Sequence, residues 1–411
     1  MSNQPKNLWW GLPKNFDDRK NERKISWLEL FYDLVYVAAI GQLTHHVSNH
    51  LSWQNTAFSF LLFSMLFWSW VNGSQYYDLH GNEGIRTRLF TFFQMLAVAA
   101  VAANIPSAFE GEQTGFAIAF AVIQIIITYL WWSVGIYDPS HRVFNIFYTT
   151  NYLIAFVLII ISLFTDYPTA IILWIIILFL DLTPSLIGAK RIVSILKQRG
   201  QVFTASATLV ERFGLFTIIV LAESILGTVT SIVESEHKQT AAWIAFIFAI
   251  FIAFLLWSLY FDMTSEQETK KGYAYMQWFI FLHFPLLVAL SLVGACIKEL
   301  LTSMETSITT EWIFCISVAT ILMMIVGIAR IMKEEEEDRA YIRPVSRILF
   351  ITGLAMLVIP LFGSYLNVDL FMGLVAIVLV GPVIIGIRSW VRYKYFGEKG
   401  TGVRNQDAGQ V

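Results

Sequence analysis

The sequence predicts an all-α polytopic membrane protein of about twelve transmembrane helices, built as two parallel six-helix repeats. Three observations predict it: runs of roughly 20 mainly apolar residues recur along the chain, basic residues gather in every second connection between them, and landmarks of the first half return in the second. Composition agrees, since 56% of the 411 residues are apolar and 14% charged. With a mean hydropathy of +0.62, the chain carries more apolar surface than a water-soluble core absorbs.

The apolar runs lie at 26–47, 53–73, 88–105, 115–137, 144–165 and 168–189, then at 206–232, 240–262, 275–297, 311–332, 345–364 and 369–391. The expected organisation is a cytoplasmic segment 1–25, a first repeat 26–199, a second repeat 200–395 and a polar tail 396–411. Residues 1–25 lack an apolar h-region, so the first run is expected to act as an uncleaved insertion signal.

Lys and Arg in short loops accumulate on the cytoplasmic side. With the N-terminus inside, Lys6, Lys14, Arg19, Lys20, Arg23 and Lys24 precede the first span, and Arg86, Arg88 and Arg142 fall in the next two inner loops. Lys190, Arg191, Lys197, Arg199, Lys270 and Lys271 follow, then Arg330, Lys333, Arg339, Arg343 and Arg347, and finally Arg388, Arg392, Lys394, Lys399 and Arg404. That places 25 of the 28 basic residues inside, leaving Lys238 and Lys298 outside and Arg212 alone within a span. Both chain ends are therefore expected in the cytoplasm. The acidic run 334–338 reads as a solvated loop.

Three landmarks suggest duplication. Glu29 and Phe31 match Glu211 and Phe213, Tyr76-Tyr77-Asp78 matches Tyr260-Phe261-Asp262, and Pro184, Gly188 and Lys190 match Pro382, Gly386 and Arg388. Six helices return the chain to its starting side, so the repeats are expected to be parallel, an arrangement used by transporters with sites between repeats.

Ionisable groups in hydrocarbon cost about 2.5–3.5 kcal/mol each on insertion scales, so each needs a partner, a cavity or a pathway. Glu29 and Asp33 stand four apart on one face of the first helix. Either a cation lies between them or one stays protonated, and Arg212, at similar depth on the seventh helix, is the candidate partner. Glu223 lies eleven residues beyond Arg212, roughly 16 Å deeper by helical rise. Gln42, Asp181 and His283 are further polar groups at membrane depth. The competing reading for this whole set is a buried network that glues helices together.

His45, His46 and His50 cluster at one end of the first helix without a third ligand at metal spacing, so no metal site is expected. Cys296 and Cys315 fall near the same end of neighbouring spans, where packing is the ordinary role and a disulfide the alternative. Pairs such as Trp131-Trp132 and Trp68-x-Trp70 suit interface belts and helix packing, with an aromatic-lined substrate site as the sharper alternative. Nothing calls for a cofactor, and a net charge of −2 implies no nucleic acid partner. Membrane lipids and a small solute or cation are the expected partners. No G-x-S-x-G, H-E-x-x-H, P-loop or dinucleotide fingerprint is present, so an enzyme is not expected.

The segments Ser26-Trp-Leu-Glu-Leu-Phe-Tyr-Asp-Leu-Val-Tyr-Val-Ala-Ala-Ile-Gly-Gln-Leu43 and Glu211-Arg-Phe-Gly-Leu-Phe-Thr-Ile-Ile-Val-Leu-Ala-Glu-Ser-Ile-Leu226 resemble the bacterial low temperature requirement protein A family. In that family the first motif usually has Phe where this chain has Tyr32 and Tyr36, and the second commonly has Gly where this chain has Ala222. The resemblance covers nearly the whole chain and implies a multi-pass protein of the bacterial inner membrane, without implying a substrate. A weaker similarity, to two-repeat potassium channels, rests on Phe31-Tyr32-Asp33, where those channels carry Phe-Ser-Asp. The expected function is a transporter or channel for an ion or small solute. The alternatives are a non-catalytic accessory or sensory membrane protein and a membrane enzyme acting on lipid.

Overall fold

The computed structural model describes residues 11–14, 24–82, 84–138, 142–198, 205–234, 240–264, 268–333 and 339–392. Twelve α-helices account for nearly all of them: α1 (Trp27–Asn49), α2 (Trp53–His80), α3 (Ile85–Phe109), α4 (Thr114–Tyr137), α5 (Arg142–Ser162), α6 (Tyr167–Gln198), α7 (Ala207–Glu234), α8 (Thr240–Thr264), α9 (Tyr273–Ser303), α10 (Ile308–Ile331), α11 (Arg339–Met356) and α12 (Val368–Arg392). No strand occurs among the described residues; an isolated bridge joins Thr269 to Met332. Each expected apolar run is a helix, and eleven of the twelve are long and apolar enough to cross a bilayer. The exception is α1, whose apolar run Glu29, Asp33, Gln42, His45 and His46 interrupt. The chain is a multi-pass membrane protein.

Local sequence explains where several helices begin. Ser26 caps α1, accepting from the Glu29 amide at 3.3 Å while the Glu29 carboxylate accepts from the Ser26 amide at 3.0 Å. This reciprocal box satisfies two amides that an N-terminal turn leaves free. Ser52 and Ser307 cap α2 and α10 by the serine half of this arrangement alone, their hydroxyls accepting from the amides of Asn55 and Thr310. Inside the spans, the hydroxyls of Thr44, Thr91, Thr128, Thr217, Thr228 and Thr264 each donate to the carbonyl four residues earlier, so they need no partner from lipid.

The described residues gather into two compact units, one drawn from 1–220 and 271–280 and the other from 221–270 and 281–411. In the first unit α1 packs on α2 and α3, α4 on α2, α3 and α5, and α6 on α2 and α5. In the second, α8 packs on α10 and α12, α10 on α11, and α11 on α12. The first core is aromatic: Trp70, Phe67, Phe116 and Trp174 are buried, with Trp131 stacked on Tyr148 at 5.1 Å and Phe116 against Trp174 at 4.7 Å.

Several expectations need correction. Arg86 does not lie in a loop: it is the second residue of α3, and only 1% exposed. Lys298 is not outside the spans, because α9 continues to Ser303 and buries it. The eleventh helix stops at Met356, and Ile359–Leu361 and Gly363–Tyr365 form 3-10 turns. Gly363 leaves room there for the Glu311 carboxylate, which an added Cβ would displace. The sixth helix runs on to Gln198, so Lys190, Arg191 and Lys197 extend a helix rather than a loop, with their side chains outside the described residues. Lys6, Arg19, Lys20, Arg23, Arg199, Lys238, the acids at 334–338, Lys394 and the tail 396–411 also lie outside them.

The matched landmarks Glu29 and Glu211 differ in setting, the first buried and the second exposed. At a shift of 180, residues 29, 32, 33, 36, 37, 40, 44 and 48 of α1 and residues 209, 212, 213, 216, 217, 220, 224 and 228 of α7 are all buried, whereas buried 39, 43 and 47 fall against half-buried 219, 223 and 227. That register sets Arg212 against Tyr32 and Phe213 against Asp33.

Within the second unit, Ser224 on α7 approaches Gly294 on α9 so closely that an added Cβ would lie 3.1 Å from the Ser224 Cα. Gly294→Val is expected to destabilise the protein by about 1–3 kcal/mol, the range for overpacking. Gly381→Ala on α12 meets nothing within 4 Å and should be neutral or stabilising by up to about 1 kcal/mol. Thermal unfolding in one detergent compares the two, and equal losses would count against close α7–α9 packing.

Candidate functional site

The first unit buries an ion cluster on α1, α2 and α7. Asp33 faces inward one turn after Glu29, and Arg212 reaches both from α7. The guanidinium meets Asp33 side-on, with Nε donating to Oδ2 at 3.1 Å and a terminal nitrogen to Oδ1 at 2.5 Å. Its other terminal nitrogen stands 3.5 Å from Glu29 Oε1. Trp70 on α2 donates its indole N–H to Asp33 Oδ1 at 2.7 Å. Arg212 and Asp33 are each 1% exposed and Glu29 3%. The cation therefore lies between two carboxylates, and a bidentate geometry suits a buried pair.

An aromatic shell closes the cluster. Trp70 packs on Phe213 at 4.9 Å and on Phe216 at 4.3 Å, and the guanidinium lies 6.0 Å from the Tyr32 ring centre. Tyr32 donates to the Tyr36 hydroxyl at 3.3 Å, and Tyr36 is linked to Ser69 at 3.0 Å. Gly73 makes room, because a Cβ there would fall 2.1 Å from the Tyr32 hydroxyl. Tyr32 and Tyr36 thus supply a chain of hydroxyls from α1 to α2 in place of bare phenyl rings.

The other candidates separate from this cluster. Asp181 on α6 is buried and accepts from Gln124 Nε2 at 2.9 Å. Gln42 is exposed on the outer face of α1, so it belongs to no buried network. In the second unit, fully buried His283 on α9 shares a 2.8 Å hydrogen bond between its Nε2 and the Tyr260 hydroxyl on α8. Glu223 is half-buried near the middle of α7, within the field of Lys298 on α9. The Lys298 stem packs against Gly227, where an added Cβ would lie 3.6 Å from the Lys298 Cβ.

Sequence reasoning missed three functional-looking groups. Trp70 was legible only as one of an aromatic pair, and nothing in its spacing points at Asp33. Arg86 and Lys298 were assigned to loops because an apolar window ends where a charge begins, although a long aliphatic stem lets a cation sit inside a helix end. Arg86 donates to the Tyr76 hydroxyl at 3.0 Å and to Ser133 Oγ at 2.5 Å. No group of three or more metal-ligating side chains occurs among the described residues. His46 instead stacks on Phe109 at 4.1 Å, and Cys296 and Cys315 are buried free thiols rather than a disulfide.

Neutralising one member of the Asp33–Arg212 pair leaves a buried charge uncompensated. Asp33→Asn or Arg212→Gln alone is expected to destabilise by about 3–5 kcal/mol, and the double substitution by clearly less than the sum. Glu29→Gln should cost within about 1 kcal/mol, since glutamine preserves the capping box. Additive losses in a double-mutant cycle of thermal unfolding would contradict direct pairing.

Comparison with known proteins gives a consistent picture. An uncharacterized protein of Rhizobium meliloti (strain 1021) is 25% identical over 284 residues, an alignment covering 62% of this chain and 62% of that protein. No solved structure matches. The family model for the bacterial low temperature requirement A protein matches residues 24–384, a stretch that runs from the start of α1 into α12 and includes the Asp33–Arg212 cluster, and the chain belongs to that family.

Proposed function

We propose that this protein is a transporter or channel for an ion or small solute in the bacterial inner membrane, without enzymatic activity, and with both termini in the cytoplasm. The observation that carries the reading is Glu223. Among Glu29, Asp33, Asp181 and Glu223, it alone is half-buried. A carboxylate that exchanges a proton or cation must be reachable, yet one near the middle of a membrane helix persists only beside a compensating charge. Lys298 supplies that charge.

In this reading Asp33 and Arg212 anchor the helices, while Glu223 and Lys298 engage the solute. The recurring neighbours support a two-repeat origin: α4 with α5, α5 with α6, α2 with α4 and α2 with α6 correspond to α10 with α11, α11 with α12, α8 with α10 and α8 with α12. A second reading, an accessory or sensory membrane protein that moves nothing, draws support from the enclosure of Asp33 and Arg212, which leaves that pair no contact with water.

Flux in proteoliposomes separates the two. Glu223→Gln should reduce uptake of the transported species at least tenfold across a panel of protons, alkali cations and small solutes, with little change in unfolding temperature, and Lys298→Met should shift its concentration dependence. Flux that is absent for the wild type would favour the accessory reading, and flux unchanged in Glu223→Gln would overturn the role given to Glu223.

A further inference from the structure

A cleft of about 220 Å³ opens between the end of α4 and the start of α5. Its walls are one face of each helix: Trp132 and Ile136 from α4, and Arg142, Asn145, Ile146 and Thr149 from α5. These follow the three-and-four spacing that aligns side chains along a helix. Gly135 lets the walls meet at the cleft's floor, since an added Cβ would lie 3.3 Å from the Asn145 Cβ. One water takes roughly 30 Å³ of liquid, so the space suits a polar headgroup rather than a single ordered water.

Asn145 is the telling residue. It is 2% exposed, yet neither its amide nitrogen nor its amide oxygen has a hydrogen-bond partner. A buried amide left unsatisfied costs about 1–3 kcal/mol, and the cleft it lines is the place from which a partner can come. Arg142 stands at the same opening, exposed, and no carboxylate pairs with it among the described residues. It is the first residue of α5, where free backbone amides add to the attraction for an anion.

Beside these polar groups, and beside Thr149 and Thr150 further along α5, the cleft is flanked by apolar side chains. Trp132, Ile136 and Ile146 are 51%, 51% and 63% exposed, positioned to run alongside acyl chains, and a tryptophan at this level is typical of the headgroup boundary. A free phosphate would meet Arg142 and Asn145 alone, whereas a lipid meets Trp132, Ile136 and Ile146 as well. We infer that the cleft between α4 and α5 is a binding site for an anionic phospholipid, with the phosphate held by Arg142 and Asn145 and the acyl chains lying against Trp132, Ile136 and Ile146. In the orientation proposed above the site faces the inner leaflet, where basic pockets between helices bind anionic headgroups. The site does not depend on whether the protein transports a solute.

The test is native mass spectrometry of the delipidated full-length protein titrated with phosphatidylglycerol, phosphatidylcholine or inorganic phosphate. The wild type should retain one phosphatidylglycerol in preference to phosphatidylcholine. Arg142→Gln should weaken that retention about fivefold, the scale of one basic side chain at a membrane surface. Asn145→Leu should weaken it as well, with no loss of lipid-free thermal stability, because an unsatisfied amide has been removed. Equal phosphatidylglycerol retention by wild type and Arg142→Gln would overturn the site. Displacement of the lipid by inorganic phosphate at matched concentration would overturn the lipid assignment in favour of a free anion.

Discussion

One arginine between two carboxylates holds the first unit in order. In a medium without water, the only tolerable setting for Asp33 is one that supplies a counter-charge and hydrogen bonds together, and Arg212 with Trp70 does so from two other helices. Because the guanidinium is planar and engages Asp33 through two nitrogens, it fixes rotation as well as distance. The positions of α1, α2 and the start of α7 relative to one another follow from that geometry. The aromatic shell of Phe213, Phe216 and Tyr32 then excludes the water that would weaken it.

The second unit handles charge differently. There Glu223 and Lys298 are held on α7 and α9 beside small residues, Gly227 and Gly294, that bring the helices close. Close approach without bulky side chains is the way helices associate where lipid removes the hydrophobic drive. The first unit encloses its ion pair, whereas the second leaves Glu223 half-buried.

Much of this was legible in the sequence. Apolar length alone locates eleven of the twelve helices, because the bilayer imposes a minimum that soluble folds do not. The partnership of Arg212 with Glu29 and Asp33 was also legible, since a lone cation in a span needs an anion at similar depth. What the sequence hides is lateral position. Gln42 and Glu29 look alike as polar residues of one helix, yet the first is exposed and the second enclosed. Helix ends are hidden too: Arg86 and Lys298 show that an apolar window stops short of where the hydrogen-bonded helix does.

The separation of Asp33 and Arg212 along the chain, 179 residues, has a consequence for biogenesis. At about 5–20 residues per second of synthesis, the ribosome makes α1 roughly 10–35 seconds before its cation emerges. During that interval α1 carries two acids with no counter-ion, and it is the one helix of the twelve too polar to cross a bilayer on its own hydropathy. Its first turn is closed by Ser26 and Glu29, contacts local enough to form before α7 exists, whereas the counter-charge to Asp33 is added only with α7.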